Sequence, residues 1–299
     1  MSSPNNAKLM QGLYMKLSKT LLASAIFSLF LTPAQATEDY SGHRVVLAYA
    51  EYINAPGSSE AGGITVYQKD VGNGQLSADF VYNDPRRALF NGGNPGVTFA
   101  VNDANTSADP NLTMQSQWMR DSVYAWTSET CSNANISENP HNGNAGIVER
   151  YFYTGVINGD WGADLTQVGF RDSSNFPYFA PGSNVLGVTF TLWWVDQNGA
   201  PTDIDNDGKY DVAFREIYYN DNYTWADNGG SGVDLPTVAI HEVGHGLSSA
   251  HFGMIAIKDG KLFAKPRAIM NAVYGGPLRD LTGRDRATHC SNWAQWGVN

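Results

Sequence analysis

The amino-acid sequence predicts an α+β domain, on three observations. Residues 188–194 alternate Val188, Phe190, Leu192 and Trp194 with Thr189, Thr191 and Trp193, the period of two expected of a strand packed on one face. Residues 112–130 carry Met119, Val123 and Trp126 three and four apart, the spacing of one apolar helix face. Residues from Leu235 onward repeat the helical spacing through Val238, Ala239 and Val243, directly after Asp234, a good N-cap, with Pro236 tolerated in the first turn.

At 299 residues the chain can bury a full core without disulfides. Its formal charge of −10 is spread without long basic runs. Phosphate binding needs clustered Lys and Arg, so nucleic acid is not an expected partner.

From Met15 the chain reads MKLSKTLLASAIFSLFLTPAQA. Lys16 and Lys19 lead into an 11-residue apolar run, 21–31, and Ala34-Gln35-Ala36 offers a small-residue cleavage site. That pattern predicts a secretory signal peptide starting at Met15. The run spans only about half of the ~30 Å hydrocarbon core, too little for a membrane anchor. Residues 1–36 are therefore expected to be an N-terminal extension plus signal peptide, and the mature chain a monomer, secreted or periplasmic, with no membrane anchor. Cleavage removes Lys8, Lys16 and Lys19 and no acid, taking the charge to −13. In an oxidising compartment Cys131 and Cys290 are candidates for a disulfide, two free buried thiols being the alternative.

Along the mature chain, residues 44–52 and 63–69 alternate like strands between turns rich in Gly, Ser and Asn. Residues 83–95 (NDPRRALFNGGNP) read as a boundary, placed near Gly96. Residues 37–95 are thus expected to be a small β-rich segment, pro-like or accessory, ahead of a domain spanning 96–299. Within that domain 97–101 reads as a strand, and the fifty residues after the first helix read mostly as loop.

The chemistry concentrates in DLPTVAIHEVGHGLSSAH, residues 234–251. A helix sets residues four apart on one face, so His241 and His245 can offer two imidazole nitrogens to one ion. Glu242, about 100° round from His241, can reach an attacking water without ligating the metal and so act as general base. His251 can be the third ligand if the helix ends after Leu247 and the chain swings back. The other three of the six histidines, His43, His141 and His289, are expected to be solvated or packed.

The spacing His-Glu-x-x-His-x5-His resembles the zinc signature of matrixin-type metzincins. The resemblance covers roughly Gly96 to the C-terminus: VTFAVNDA with the Trp-bearing helix resembles the start of the catalytic domain, and 281–296 its closing helix. It implies a zincin fold, with a twisted mixed sheet, an active-site helix beneath it and a C-terminal helix. It also implies catalytic Zn2+ on His241, His245 and His251, Met270 as an apolar Met-turn floor, and an edge strand, for which 188–194 is the candidate, that holds protein or peptide substrates in extended form. Tyr274 follows Met270 by four positions rather than two, so no catalytic role is carried over to it. The family usually has Gly where Ser248 stands, because that residue ends the helix with positive φ, which costs a Ser about 1 kcal/mol. A cysteine switch is missing, since no Cys lies between Thr37 and Gly96.

A second metal signal is DIDNDGKYD, which places Asp203, Asp205, Asp207, Gly208 and Asp211 at positions one, three, five, six and nine of a calcium-loop pattern. Phe214 stands where the twelfth position is usually acidic, so Asp221 or Asp227 is the expected completion and Ca2+ would be structural. The alternative is a solvated acidic turn. The function these features predict is zinc-dependent metalloendopeptidase activity. The rival is an exported, calcium-stabilised binding or adhesion module with structural zinc, which would need neither Glu242 nor an open coordination position.

Overall fold

The computed structural model describes residues 44–55, 74–89, 91–141, 143, 145–157, 162–258 and 261–298. The predicted signal peptide and the strand expected at 63–69 lie outside them.

The strands, in chain order, are β1 (Arg44–Asn54), β2 (Ala78–Asp79), β3 (Val97–Val101), β4 (Ile136–Glu138), β5 (Leu165–Arg171), β6 (Val185–Val195), β7 (Tyr210–Asn220), β8 (Trp225–Ala226), β9 (Val233–Asp234), β10 (Met254–Lys258) and β11 (Lys261–Lys265). Among the described residues four α-helices accompany them: α1 (Gln115–Thr127), α2 (Ile147–Thr154), α3 (Leu235–Gly246) and α4 (Gly283–Trp293). The main sheet runs β1-β6-β7-β5-β3-β4, with β2 added to the start of β7. β6 runs antiparallel to both its neighbours, β1 and β7, whereas β7, β5, β3 and β4 are parallel, giving an α+β fold on a mixed sheet.

Sequence chemistry accounts for the element ends. Asp234 caps α3 by accepting from Thr237 N at 3.1 Å. Thr282 and Asp285 form a reciprocal capping box on α4. α1 buries Met119, Val123 and Trp126, the expected face, and the Trp126 Nε1–H donates to Ile240 O at 2.8 Å, tying α1 to α3. Cys131 and Cys290 form a disulfide with Cα atoms 5.5 Å apart, which joins the end of α1 to α4.

Three expectations change. Among the described residues the boundary near Gly96 does not separate two compact units, because β1 pairs along the full length of β6. Residues 83–95 are an internal loop, with Arg87 buried and its guanidinium donating to Val81 O and Gly96 O. The stretch read as loop holds α2 and β5. β5 was concealed because every residue of it is buried, so it has no alternation to display. β6 is likewise buried on both faces and is an inner strand, its outer edge taken by β1. One of its faces lies on α3 and the other under an aromatic cluster in which Phe190 meets Phe152, Phe176 and Tyr178 at ring distances of 5.0–6.0 Å.

Among the described residues, no helix is long and apolar enough to cross a membrane.

Candidate metal centre

The α3 helix carries His241 and His245 on one face, and the chain then reverses at Ser248, whose φ of 68° ends the helix. This is the left-handed conformation expected at that position. It brings His251 back so that the His245 Nε2 lies 3.1 Å from both His241 Nε2 and His251 Nε2. Nitrogens at 2.0–2.1 Å from one tetrahedral ion sit about 3.3–3.4 Å apart, so these three imidazoles can hold a single metal ion with little adjustment. Three neutral nitrogen donors suit zinc better than a hard cation.

The opposite ring atoms are fixed by backbone. His241 Nδ1 lies 2.7 Å from Ile269 O and His245 Nδ1 2.8 Å from Ser249 O, contacts that place the proton on Nδ1 and leave Nε2 free for a metal. Met270 is buried, and a methyl group added at Gly244 would lie 2.3 Å from its sulfur, so Met270 packs tightly beneath the helix between the two histidines. The Asp285 carboxylate accepts from both Ile269 N and Met270 N, at 3.0 and 3.1 Å, and so secures this turn from α4. Tyr274 accepts from Asp234 N at 3.0 Å, which makes it an anchor for the start of α3.

Glu242 is fully buried. Its Oε2 accepts from Thr189 Oγ1 at 2.7 Å, whereas Oε1 makes no well-formed hydrogen bond. The Ile53 N–H of β1 is directed at this carboxylate without closing a well-formed bond, and so weakly satisfied a buried oxygen beside three convergent imidazoles fits a site built to receive a further polar group. Burial pushes the Glu242 carboxyl up to about 8, against a lowering by His245 and by the Thr189 hydrogen bond. Burial, and then the neighbouring imidazoles, hold His241 and His251 well below the ordinary histidine value. Burial is the largest single effect on His245 and lowers it, but Glu51, with Oε2 2.6 Å from His245 Nδ1, together with Glu242 and Ser249 O, raises it above the ordinary histidine value.

Sequence reasoning missed four residues of this site. Thr189, Glu51, Arg215 and Asp285 lie between 15 and 194 positions from the residues of the site that they contact. Arg215, in β7, is fully buried and donates from Nη1 to Gly246 O at 3.1 Å and Ser248 Oγ at 2.8 Å, bracing the turn after α3. Of the four, only Asp285 falls in a local pattern, the capping signature Thr282-x-x-Asp285, and that pattern signals a helix start rather than a site.

The acidic loop lies between β6 and β7. Asp203, Asp205 and Asp211 bring carboxylate oxygens close enough to hold a metal ion. Asp203 accepts from Asp207 N and Gly208 N, both at 3.1 Å, and Gly208 has φ 88°, the sharp turn a cation loop needs. Asp207 lies outside that group and accepts from Lys209 N. Asp211 is shared with Arg86 at 2.8 Å and Thr202. Neither expected completion reaches the loop: Asp221 follows the far end of β7, roughly 30 Å away at ~3.3 Å per residue, and Asp227 accepts from Thr113 N and Met114 N at the start of α1.

Compared with family models and with curated proteins, the chain matches none of them.

Proposed function

We propose that this chain is an exported zinc metalloendopeptidase of metzincin type, acting on protein or peptide substrates. The observation that carries the reading is the convergence of three Nε2 atoms, 3.1 Å apart in successive pairs, beside a buried Glu242 whose Oε1 makes no well-formed hydrogen bond. A structural zinc site normally takes four protein ligands, whereas these residues supply three nitrogens and leave a fourth position for a reactant.

His241, His245 and His251 would hold the ion, and the chemistry that bound zinc supplies is Lewis acidity toward a peptide carbonyl and toward water. Glu242 takes the proton of the attacking water on Oε1 and delivers it to the leaving amine, while Thr189 holds Oε2 and so fixes the carboxylate plane. Ile269 O and Ser249 O keep the imidazole tautomers correct, and Met270 closes the floor to solvent. Export is supported by the leader pattern in the sequence and by the Cys131–Cys290 disulfide, which persists in oxidising compartments. At the acidic loop the proposed ion is Ca2+ in a structural role, on Asp203, Asp205 and Asp211.

The test is cleavage of unfolded casein by the purified chain, alongside Glu242→Ala, with zinc content measured in both. Loss of a general base of this kind lowers the rate by about 10²–10⁴ while zinc is retained. Zinc bound stoichiometrically with no cleavage by either protein, under conditions that release β1 as described below, would leave the binding-module reading in its place.

A further inference from the structure

The edge of β6 that faces the metal centre is covered by the chain's own β1. The register sets Glu51 opposite Thr189, Tyr52 opposite Val188 and Ile53 opposite Gly187. Because Thr189 reaches Glu242 and side chains alternate along a strand, Glu51 and Ile53 point at α3 and Tyr52 points away. Glu51 Oε2 lies 2.6 Å from His245 Nδ1, and the Ile53 N–H is directed at the Glu242 carboxylate.

On its other side the end of β1 meets the segment after Met270. Asn54 N donates to Ala272 O at 3.4 Å and Tyr274 N donates to Asn54 O at 3.0 Å, a parallel bridge. The end of β1 thus lies in a cleft, antiparallel to β6 on one wall and parallel to residues 272–274 on the other, over the metal-binding face. His241, Glu242 and His245 have no exposed surface with it in place.

We propose that β1 is a resident occupant of the substrate cleft that holds the chain latent, and that an extended polypeptide takes its place on β6 once β1 is displaced. This rests on the peptidase reading above. Three features support it. The strand–strand contacts are main-chain hydrogen bonds, which any extended peptide can replace, so the groove selects for backbone first and side chains second. β1 is the terminal strand of the sheet, so its departure leaves β6-β7-β5-β3-β4 paired. Ile53 is 2% exposed and Glu51 3%, so the strand fills the cleft with side chains as well as backbone. The groove at Ile53 accordingly takes a branched aliphatic residue.

A permanent β1 that merely orients His245 through Glu51 predicts the opposite sign for every variant that loosens it. The experiment uses the full zinc-loaded chain. In Ile53→Pro the N–H directed at Glu242 is lost and the strand is disfavoured, while β6, α3 and the histidines are untouched. Two readouts are taken: binding of a dye-labelled peptide LAYAEYINA, the sequence of residues 47–55, and cleavage of casein. Loosening the occupant by enough to raise the open fraction roughly tenfold raises both by the same factor.

Raised peptide binding with raised cleavage supports the proposal and the peptidase reading together. Raised binding without cleavage by any variant keeps the cleft and its occupant and removes the peptidase reading. Cleavage by the wild type that is unchanged or lowered in a folded Ile53→Pro chain, with no gain in peptide binding, overturns the latency and leaves the peptidase reading standing. If Ile53→Pro loses its near-ultraviolet circular dichroism, the paired variant Tyr52→Cys/Val188→Cys decides. The crosslinked form should bind no peptide and regain binding with reductant, against wild type in the same reductant, and equal binding in both states overturns the proposal.

Discussion

Arg215 donates to the Ser248 hydroxyl at 2.8 Å, so a cation in the middle of the sheet holds the one non-glycine residue that turns the chain from α3 toward His251. This contact explains why a Ser can occupy a left-handed position. Ser248→Gly removes about 1 kcal/mol of backbone strain, but it also removes the acceptor of a buried charged donor, worth about 1.5–3 kcal/mol. The expected net effect is a loss of about 1 kcal/mol in urea unfolding. In an Arg215→Met background the same change should turn stabilising, and a Ser248→Gly that stabilises the wild type would refute the bracing role.

Gly244→Ala tests the floor under the metal centre. The added methyl would meet Met270 Sδ at 2.3 Å and Trp126 Cζ2 at 2.7 Å. The intrinsic helix gain of about 1 kcal/mol is outweighed by overpacking of about 1–3 kcal/mol. Thermal unfolding should therefore shift down by a few degrees and zinc affinity should fall. An unchanged midpoint would mean that Met270 is not seated against the helix.

His289 supplies the pH dependence. It packs against Trp126 and donates or accepts at Ser132 Oγ, 2.9 Å away, and burial pushes it down to about 4. Between pH 4 and the ordinary histidine value near 6.5 the unfolded chain binds a proton that the folded chain refuses. Stability should thus fall as pH drops through that window, by up to about 3 kcal/mol, and level off below it. Urea midpoints measured from pH 7 to 4 should show the slope in wild type and a flatter one in His289→Phe.

The acidic loop should respond to calcium. Millimolar Ca2+ at ~100 times its dissociation constant adds about 2.7 kcal/mol to a chain that binds it only when folded. Differential scanning with zinc held constant should show an upward shift in wild type that a calcium-selective chelator reverses and Asp205→Asn abolishes. No shift would identify the loop as a solvated turn.

Much of the site was legible because its ligands are close in sequence. Asp234 caps the helix, His241 and His245 fall one turn apart, and Ser248 must turn left-handed for His251 to return, all consequences of local backbone geometry. α1 was equally readable from the spacing of Met119, Val123 and Trp126. The alternation in 188–194 gave the strand but misled about its surroundings. Its Thr residues are buried because Thr189 bonds Glu242 and Thr191 accepts from Arg215, partners a polar-out reading does not anticipate.

By itself the sequence determined the α+β class, the spacing of the three histidines, the glutamate beside them and the acidic loop, since each follows from periodicity or spacing within about twenty residues. Only the tertiary structure decided that β1 closes the edge of β6, that Arg215 and Asp285 brace the two turns at the metal centre, and that Asp221 is out of reach of the acidic loop. The physical reason is that main-chain pairing is nearly indifferent to side-chain identity. Which strand takes an open edge is settled by the packing of residues 51–54 against 185–189 and 272–274, and no local pattern in the sequence encodes it.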